Sequence, residues 1–276
     1  MSKLKKIMLR ARRQVFSEMV GANPSAFKGE GYDFVELREY MSGDDIRYID
    51  WNITAKMQKP YIKIFREERE LNVVVVSVLG GSVYFGSKEL KQDTIANIVA
   101  LLGFSALKNQ DLFSSYIFST KMDSFLKPSK NIYQVKKATQ NILDFNPIDH
   151  DVDFGFIAKT LYKRVKRKSL IIVVGDFFDI PDFRILAKKH EVVSVVVRDR
   201  LEEEPTQMGA ISLRDPQSGA VFEGDFNLKT AKEYAKKVKE HDKNLYEVFK
   251  KHHIRFCKIY TATNPVVGLR KLFEGR

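Results

Sequence analysis

A single cysteine, Cys257, stands in a chain of 276 residues, so no internal disulfide can brace the fold and stability must come from a buried core. It falls in the apolar run 254–260, where a thiol reads as an inert core group in a reducing compartment. Long hydrophobic runs are missing as well. Residues 71–79 are strand-length, and residues 95–107 are too short and too polar to supply the roughly 18 to 20 apolar residues of a spanning helix. Residues 1–16 are basic but have neither an apolar centre nor a small-residue cleavage site, which excludes a secretory signal. A cytoplasmic protein with no transmembrane helix is the expectation. No repeat or low-complexity tract is evident.

The usual signatures of catalysis are absent too. The chain has no Gly-x-x-x-x-Gly-Lys loop, Cys-x-x-Cys pair, His-Glu-x-x-His helix or Gly-x-Ser-x-Gly elbow. Gly80-Gly81-Ser82 offers a hydroxyl, yet none of the histidines His150, His190, His241, His252 and His253 is identified as its base. Four of them read as helix-end or surface residues, and only His150 falls near a candidate site. No catalytic residue and no cofactor is assigned.

Charge, by contrast, is plentiful and one-sided: 47 basic against 35 acidic residues give a formal +12, which admits nucleic acid, an anionic membrane face or an acidic partner. Much of the excess lies in 229–251. There Lys232, Lys236, Lys239 and Lys243 recur at helical spacing opposite Tyr234, Val238, Leu245 and Val248, the pattern of a solvated helix face more than of a binding surface. No helix-turn-helix or single-strand stacking module accompanies the charge. Nucleic-acid binding is therefore the alternative to protein binding, with a metal-dependent hydrolase behind it.

Two textures divide the chain. Residues 1–70 are rich in charges and in turn glycines (Gly29, Gly31, Gly43) and read as a helix followed by short strands and loops. From 71 to 276, apolar runs alternate with helix-period segments, as in βαβ units around a mainly parallel sheet. Strands are expected at 72–79, 112–118, 169–174, 192–197 and 254–260, with an edge strand at 122–126. Helices are expected at 88–108, 130–143, 153–166, 229–251 and 266–273, with a short one starting at Pro181 and reaching Lys189. Residues 211–213 and 220–222 suggest a hairpin. The fold class is thus α/β: a doubly wound, mainly parallel sheet with helices on both faces, plus an N-terminal helix and a small β/loop segment.

In such a sheet, ligands collect beyond the carboxyl ends of the strands, which brings 80–82, 149–153 and 176–179 to one edge. Asp149, Asp151, Asp153, Asp176 and Asp179 are oxygen ligands of the kind magnesium or calcium takes, while Asp153 and Asp182 equally suit helix N-capping. The densest constellation lies earlier, in 31–40 and 43–52. There Arg38 and Arg47 can fork onto carboxylates such as Glu39, Asp44 or Asp50, with Trp51 covering the pairs from water. Such a network fixes a connector or presents a recognition surface, and the residues alone leave both open.

Residues 31–55 resemble the signature of a bacterial family known as domain of unknown function 58. The matching residues are Asp33-Phe34, Leu37-Arg38-Glu39-Tyr40, Gly43-Asp44-Asp45-Ile46-Arg47-Tyr48-Ile49-Asp50-Trp51 and Ala55-Lys56. Phe65-Arg66-Glu67-Glu68-Arg69, then Arg198-Asp199 with Leu201-Glu202 and Pro205, extend the likeness over most of 29–276. The resemblance implies a von Willebrand A-like domain at 71–276 behind a signature segment at 1–70. It also implies a non-catalytic, protein-binding adaptor that acts with a MoxR-type AAA ATPase on an unidentified client protein. On that reading Arg38, Glu39, Tyr40, Gly43, Asp44, Arg47, Asp50 and Trp51 contact the partner. Many members carry transmembrane helices, which this chain lacks, although its basic N-terminus suits peripheral contact with an anionic membrane.

The family likeness also implies a divalent-ion motif, Asp-x-Ser-x-Ser, with a Thr and an Asp on later loops. Aligned on Phe85-Gly86-Ser87, the motif here reads Val78-Leu79-Gly80-Gly81-Ser82; Val152, just before Asp153, takes the Thr position, and Asp176 the later Asp. Gly80, Ser82, Asp153 and Asp176 thus mark a degenerate edge expected to hold no metal. A shifted site on Asp149, Asp151 and Asp176 is the alternative.

Overall fold

The computed structural model describes residues 2–17, 32–67, 70–217 and 219–274. Gly29, Gly31, Glu68 and Arg69, used above, lie outside the described residues. The chain divides into two compact units, 25–71 and a larger one formed by 1–24 with 72–276.

Helix α1 (Lys3–Ser17) opens the larger unit. The sequence reading grouped it with the signature, but Ile7, Ala11 and Val15 are spaced to form one apolar stripe, and burying that stripe ties α1 to the α/β unit. The smaller unit is an antiparallel pair, β1 (Tyr32–Glu39) and β2 (Tyr61–Glu67), joined through a 3-10 turn at Ile46–Tyr48 and helix α2 (Trp51–Met57). Ile62 is its buried centre, bridged by Ile49.

The larger unit continues with β3 (Asn72–Val78), α3 (Lys91–Lys108), β4 (Leu112–Phe118), β5 (Met122–Ser129), α4 (Ile132–Asp144), α5 (Phe154–Arg164) and β6 (Leu170–Gly175). Next come α6 (Arg184–Ala187), β7 (Glu191–Arg198), α7 (Arg200–Glu203) and the separate hairpin β8 (Gly209–Arg214) and β9 (Val221–Phe226). Helix α8 (Leu228–Lys251), β10 (Arg255–Tyr260) and α9 (Pro265–Glu274) complete it. Six strands form one sheet in the order β10-β7-β6-β3-β4-β5, parallel throughout except for the antiparallel edge strand β5.

Both faces of the sheet are covered, which is why its central strands read as unbroken valine and isoleucine. Val74, Val76 and Val78 pack with Phe154 and Ile157 of α5, Leu186 of α6 and Leu245 and Phe249 of α8. Alternation sends Val73 and Val75 to the opposite face, where α3 is buried from Lys91 to Ala106 and packs with α1 and α4. Two expectations change. The helix placed from Pro181 to Lys189 is only the single turn of α6, because Asp182 draws both the backbone N–H and the guanidinium of Arg184 to its carboxylate. Helix α7 was not anticipated; Asp199 and Glu202 form a reciprocal capping box around its four residues.

Candidate functional site

In the signature segment, Arg38 forks onto Asp44, Nη1 to Oδ2 at 2.9 Å and Nη2 to Oδ1 at 2.7 Å. The same carboxylate accepts the Met41 N–H at 2.8 Å and so closes the turn that Gly43 allows with φ of +106°. Arg38 and then the Met41 N–H hold the Asp44 carboxyl below its ordinary range. Arg47 forks onto Asp45 (Nη2 to Oδ2, 2.6 Å) rather than onto Glu39, Asp44 or Asp50, and this pairing brings the Asp45 pKa down to about 2. Glu39 instead meets Lys59 at 3.0 Å. Asp50 caps α2 through the N–H groups of Asn52 and Ile53 and pairs with Lys63 at 2.9 Å. The Tyr40 N–H donates to the Pro60 carbonyl across the strand ends.

Trp51 does not cover these pairs. It is the first residue of α2 and stands 68% exposed, as Met41, Ile46 and Met57 are exposed nearby in sequence. The segment is therefore a charge-braced frame that turns Met41, Ile46, Trp51 and Met57 outward.

The carboxyl edge of the sheet is built where strand order reverses, between β3 and β6. The Gly81 N–H donates to the His150 carbonyl at 2.8 Å, which brings the loop after β3 against 149–153 as expected. From the loop after β6, buried Asp176 takes the Lys91 ammonium at 2.9 Å. Lys91 is the first residue of α3 and fully buried, and its Nζ also reaches Glu202 of α7 at 2.5 Å. Burial alone would raise the Asp176 pKa, but Lys91, Ser82 and Arg198 outweigh it and hold the carboxyl below its usual range. For Glu202 burial prevails over Lys91, and its carboxyl stays above that range. Fully buried Arg198 donates to the Asp176 carbonyl and to Asp242 of α8. The Phe178 ring lies 4.8 Å from Lys91 Nζ and 4.3 Å from the Arg198 guanidinium carbon, a cation on each account held against its π face.

The remaining aspartates do not gather into a ligand set, although Asp179 lies near enough to Asp151 and Asp176 that burial and then their charges push its carboxyl up. Asp153 caps α5 by accepting the Phe156 N–H, Asp151 accepts the Val152 N–H, and Asp149 lies 3.9 Å from Arg214. Among the described residues no group of three or more His, Cys, Asp and Glu side chains is placed to hold a metal ion. His150 Nδ1 lies against the Ile148 carbonyl. His190, read as a helix-end or surface residue, does follow the end of α6, its N–H on the Leu186 carbonyl at 2.8 Å, but is buried and not on the surface. Burial raises the Cys257 thiol pKa to about 12, which keeps it protonated.

Lys91, Arg198, Glu202 and Asp242 were not singled out as site residues from the sequence. The available signal was a charge inside an apolar context: Lys91 at the head of a buried helix, and Arg198 at the end of an apolar strand.

The profile of a family described as "Protein of unknown function DUF58" matches residues 36–244. Uncharacterized proteins of Mycobacterium tuberculosis (strain H37Rv) and Mycobacterium bovis are each 22% identical over 247 residues, covering 86% of this chain and 77% of the relative. Among solved structures, the conserved hypothetical protein BatB from Bacteroides thetaiotaomicron is similar with a TM-score of 0.47 at 11% identity, over 74% of this chain and 98% of that one. An aerotolerance-related membrane protein from Bacteroides fragilis gives 0.40 at 11% identity over 66% and 98%. An uncharacterized membrane spanning protein from Vibrio fischeri gives 0.25 at 10% over 75% and 97%. The expected cytoplasmic placement is withdrawn here, since two of these structural neighbours are themselves described as membrane proteins. That no helix among the described residues is long and apolar enough to cross a bilayer is a separate fact.

Proposed function

This chain belongs to the DUF58 family, whose proteins are of unknown function, and on that premise we propose that it is a non-catalytic adaptor that binds other proteins. It works with a MoxR-type AAA ATPase in assembling or remodelling a client. The observation that supports this reading best is the exposure of Trp51, Ile46, Met41 and Met57 on a frame braced by the Arg38–Asp44 and Arg47–Asp45 forks. Exposed aromatic and long apolar side chains on a preorganised backbone have the character of a binding hot spot, because little ordering entropy is lost when they dock. At the carboxyl edge, exposed Tyr84, Phe85 and Ile180 offer a further apolar contact. The ATPase and the client enter through the resemblance of the signature. The outward side of α1, with exposed Lys5, Lys6, Arg10, Arg12, Leu9 and Phe16, suits peripheral contact with an anionic membrane.

Nucleic-acid binding draws support from net charge only. The exposed lysines of α8 are interleaved with exposed Glu233, Glu240 and Glu247, and Lys236 faces Glu240 at 3.8 Å, which dilutes any phosphate-binding stripe.

The test is capture of the purified MoxR-type ATPase of the same organism on immobilised full chain. Trp51→Ala and Ile46→Asp should each weaken capture about tenfold or more, equivalent to at least about 1.4 kcal/mol, while Lys236→Ala leaves it unchanged. Undiminished capture by both signature variants removes the segment from the reading. Turnover of a small substrate by the chain alone overturns the non-catalytic half.

A further inference from the structure

The divalent ion implied by the family likeness would draw ligands from positions 78, 80, 82, 152 and 176, and the residues present do not fit it. A hard cation needs several oxygens, and three of these five positions offer a methyl group or nothing. Val78 packs against Gly175 so closely that a Cβ on residue 175 would stand 3.0 Å from the Val78 Cβ. A side chain at Gly80 would meet the Val152 Cγ2 at 2.7 Å, so the space of a ligating hydroxyl is filled by the methyl that replaces another. A Cβ at Gly81 would stand 2.2 Å from the Pro216 carbonyl oxygen, which closes the turn from its other side.

Of the two oxygen-bearing positions that survive, Asp176 is engaged with an internal cation, receiving Lys91 Nζ at 2.9 Å. That ammonium is fully buried, reaches Glu202 at 2.5 Å, and has the Phe178 ring 4.8 Å away, so each side is met by a carboxylate or a π face.

We propose that Lys91 is a built-in cation that takes over the charge-neutralising work of a divalent ion at this edge, locking the loops after β3 and β6 to α7 without metal. Its stem is part of α3, so this cation cannot dissociate, be chelated or be exchanged. Because the ammonium is sealed, it also cannot complete its shell with a carboxylate from a partner, as an open metal ion can. Recognition at this edge then falls to its apolar side chains. The inference stands apart from the adaptor reading, since it concerns how the edge is held together and not what docks there.

Paramagnetic Mn²⁺ is the probe, added at millimolar concentration to the isotope-labelled full chain. The amide signals of Gly80, Gly81, Ser82 and Asp176 should broaden no more than those of the rest of the surface, and EDTA should leave the melting temperature unchanged. Selective broadening of those amides, or a melting temperature that falls in EDTA, would overturn the proposal. Independently, Lys91→Met keeps the stem and removes the charge, and should lower the melting temperature by about 5 °C or more by leaving two buried carboxylates facing each other. Adding Asp176→Asn and Glu202→Gln to that variant should recover most of the loss. A Lys91→Met protein that melts with the wild type would show that the ammonium does no such work.

Discussion

Arg198 Nη2 donates to Asp242 Oδ1 at 2.7 Å, joining the end of β7 to the middle of α8 with both side chains buried. Desolvating two charges costs several kcal/mol, and their attraction offsets that only when the remaining donors and acceptors also find partners. Here most do: Arg198 also reaches the Asp176 carbonyl, and Asp242 Oδ2 accepts Lys258 Nζ and the Tyr246 hydroxyl, each at 3.3 Å, while the buried Arg198 Nε has no partner among the described residues. Arg198→Met should therefore destabilise the larger unit by about 3 to 5 kcal/mol, read by urea unfolding, because Asp242 keeps a buried charge. Arg198→Met/Asp242→Leu should regain most of this. A double variant no more stable than the single one would mean the two groups are not coupled.

His190 predicts a pH dependence. Its ring nitrogens have no hydrogen-bond partner among the described residues, and burial, with Lys189 beside it, lowers its pKa from 6.5 to about 4. The unfolded chain thus takes up the proton first as pH falls. Stability contributed by the neutral ring is complete above pH 6.5, declines between 6.5 and about 4, and is gone below that, with a slope approaching about 1.4 kcal/mol per unit. Unfolding free energies of His190→Leu and wild type should differ in slope across that window and run parallel above it. Parallel curves throughout would assign the slope to other groups.

A second pH effect belongs to Asp242, whose carboxyl is pushed up by burial but held below its ordinary 3.8 by Arg198 and Lys258. Its contribution is fully present above pH 3.8 and fades as pH falls further. Acid unfolding of Arg198→Met/Asp242→Leu should be shallower than that of wild type below about pH 4. An unchanged acid limb would place the effect elsewhere.

Asp50 serves α2 twice, as its N-cap and as the partner of Lys63. Asp50→Ala should speed hydrogen exchange at the Asn52 and Ile53 amides, which lose their acceptor, and Asp50→Asn should do so less because it still caps. Equal protection in Asp50→Ala and wild type would show that the helix start is held by other contacts.

Gly81→Ala tests the turn after β3. Its new Cβ would fall on the Pro216 backbone oxygen, which has no flexible end to yield, so the hairpin loop must shift. A loss of about 1 to 3 kcal/mol is expected, with chemical-shift changes at Asp215, Pro216 and Gln217. Changes confined to residue 81 and its chain neighbours would contradict this packing.

Parallel strands buried on both faces announce themselves as continuous apolar runs, so β4 at Leu112–Phe118 and β3 at Asn72–Val78 could be read almost to the residue. Helix α7 could not, since Arg200–Glu203 is one charged turn held by Asp199 and Glu202 and has no period to detect. The same contrast governs the sites. Arg38 and Asp44 are six residues apart, and their pairing follows from local pattern. Lys91 and Asp176 are separated by 85 residues and meet only because β3 and β6 are neighbours in the sheet. Trp51 was misjudged because charge and aromatic character suggest shielding, whereas its place directly after the Asp50 cap sets it outward.

The outermost strands of the sheet bear on how copies of this molecule avoid one another. β5 carries Lys127 and Pro128, and Pro128 has no N–H to offer an incoming strand; β10 carries Arg255 and Lys258. The β5 margin thus presents positive charge to its counterpart on a second molecule and is also a donor short, whereas Arg255 and Lys258 on β10 are paired with Glu191 and with Glu203 and Asp242. Edge-to-edge joining into a longer ribbon, the usual hazard of an open sheet, is disfavoured at β5, so assembly at that end must go through side-chain surfaces and not through the backbone ladder.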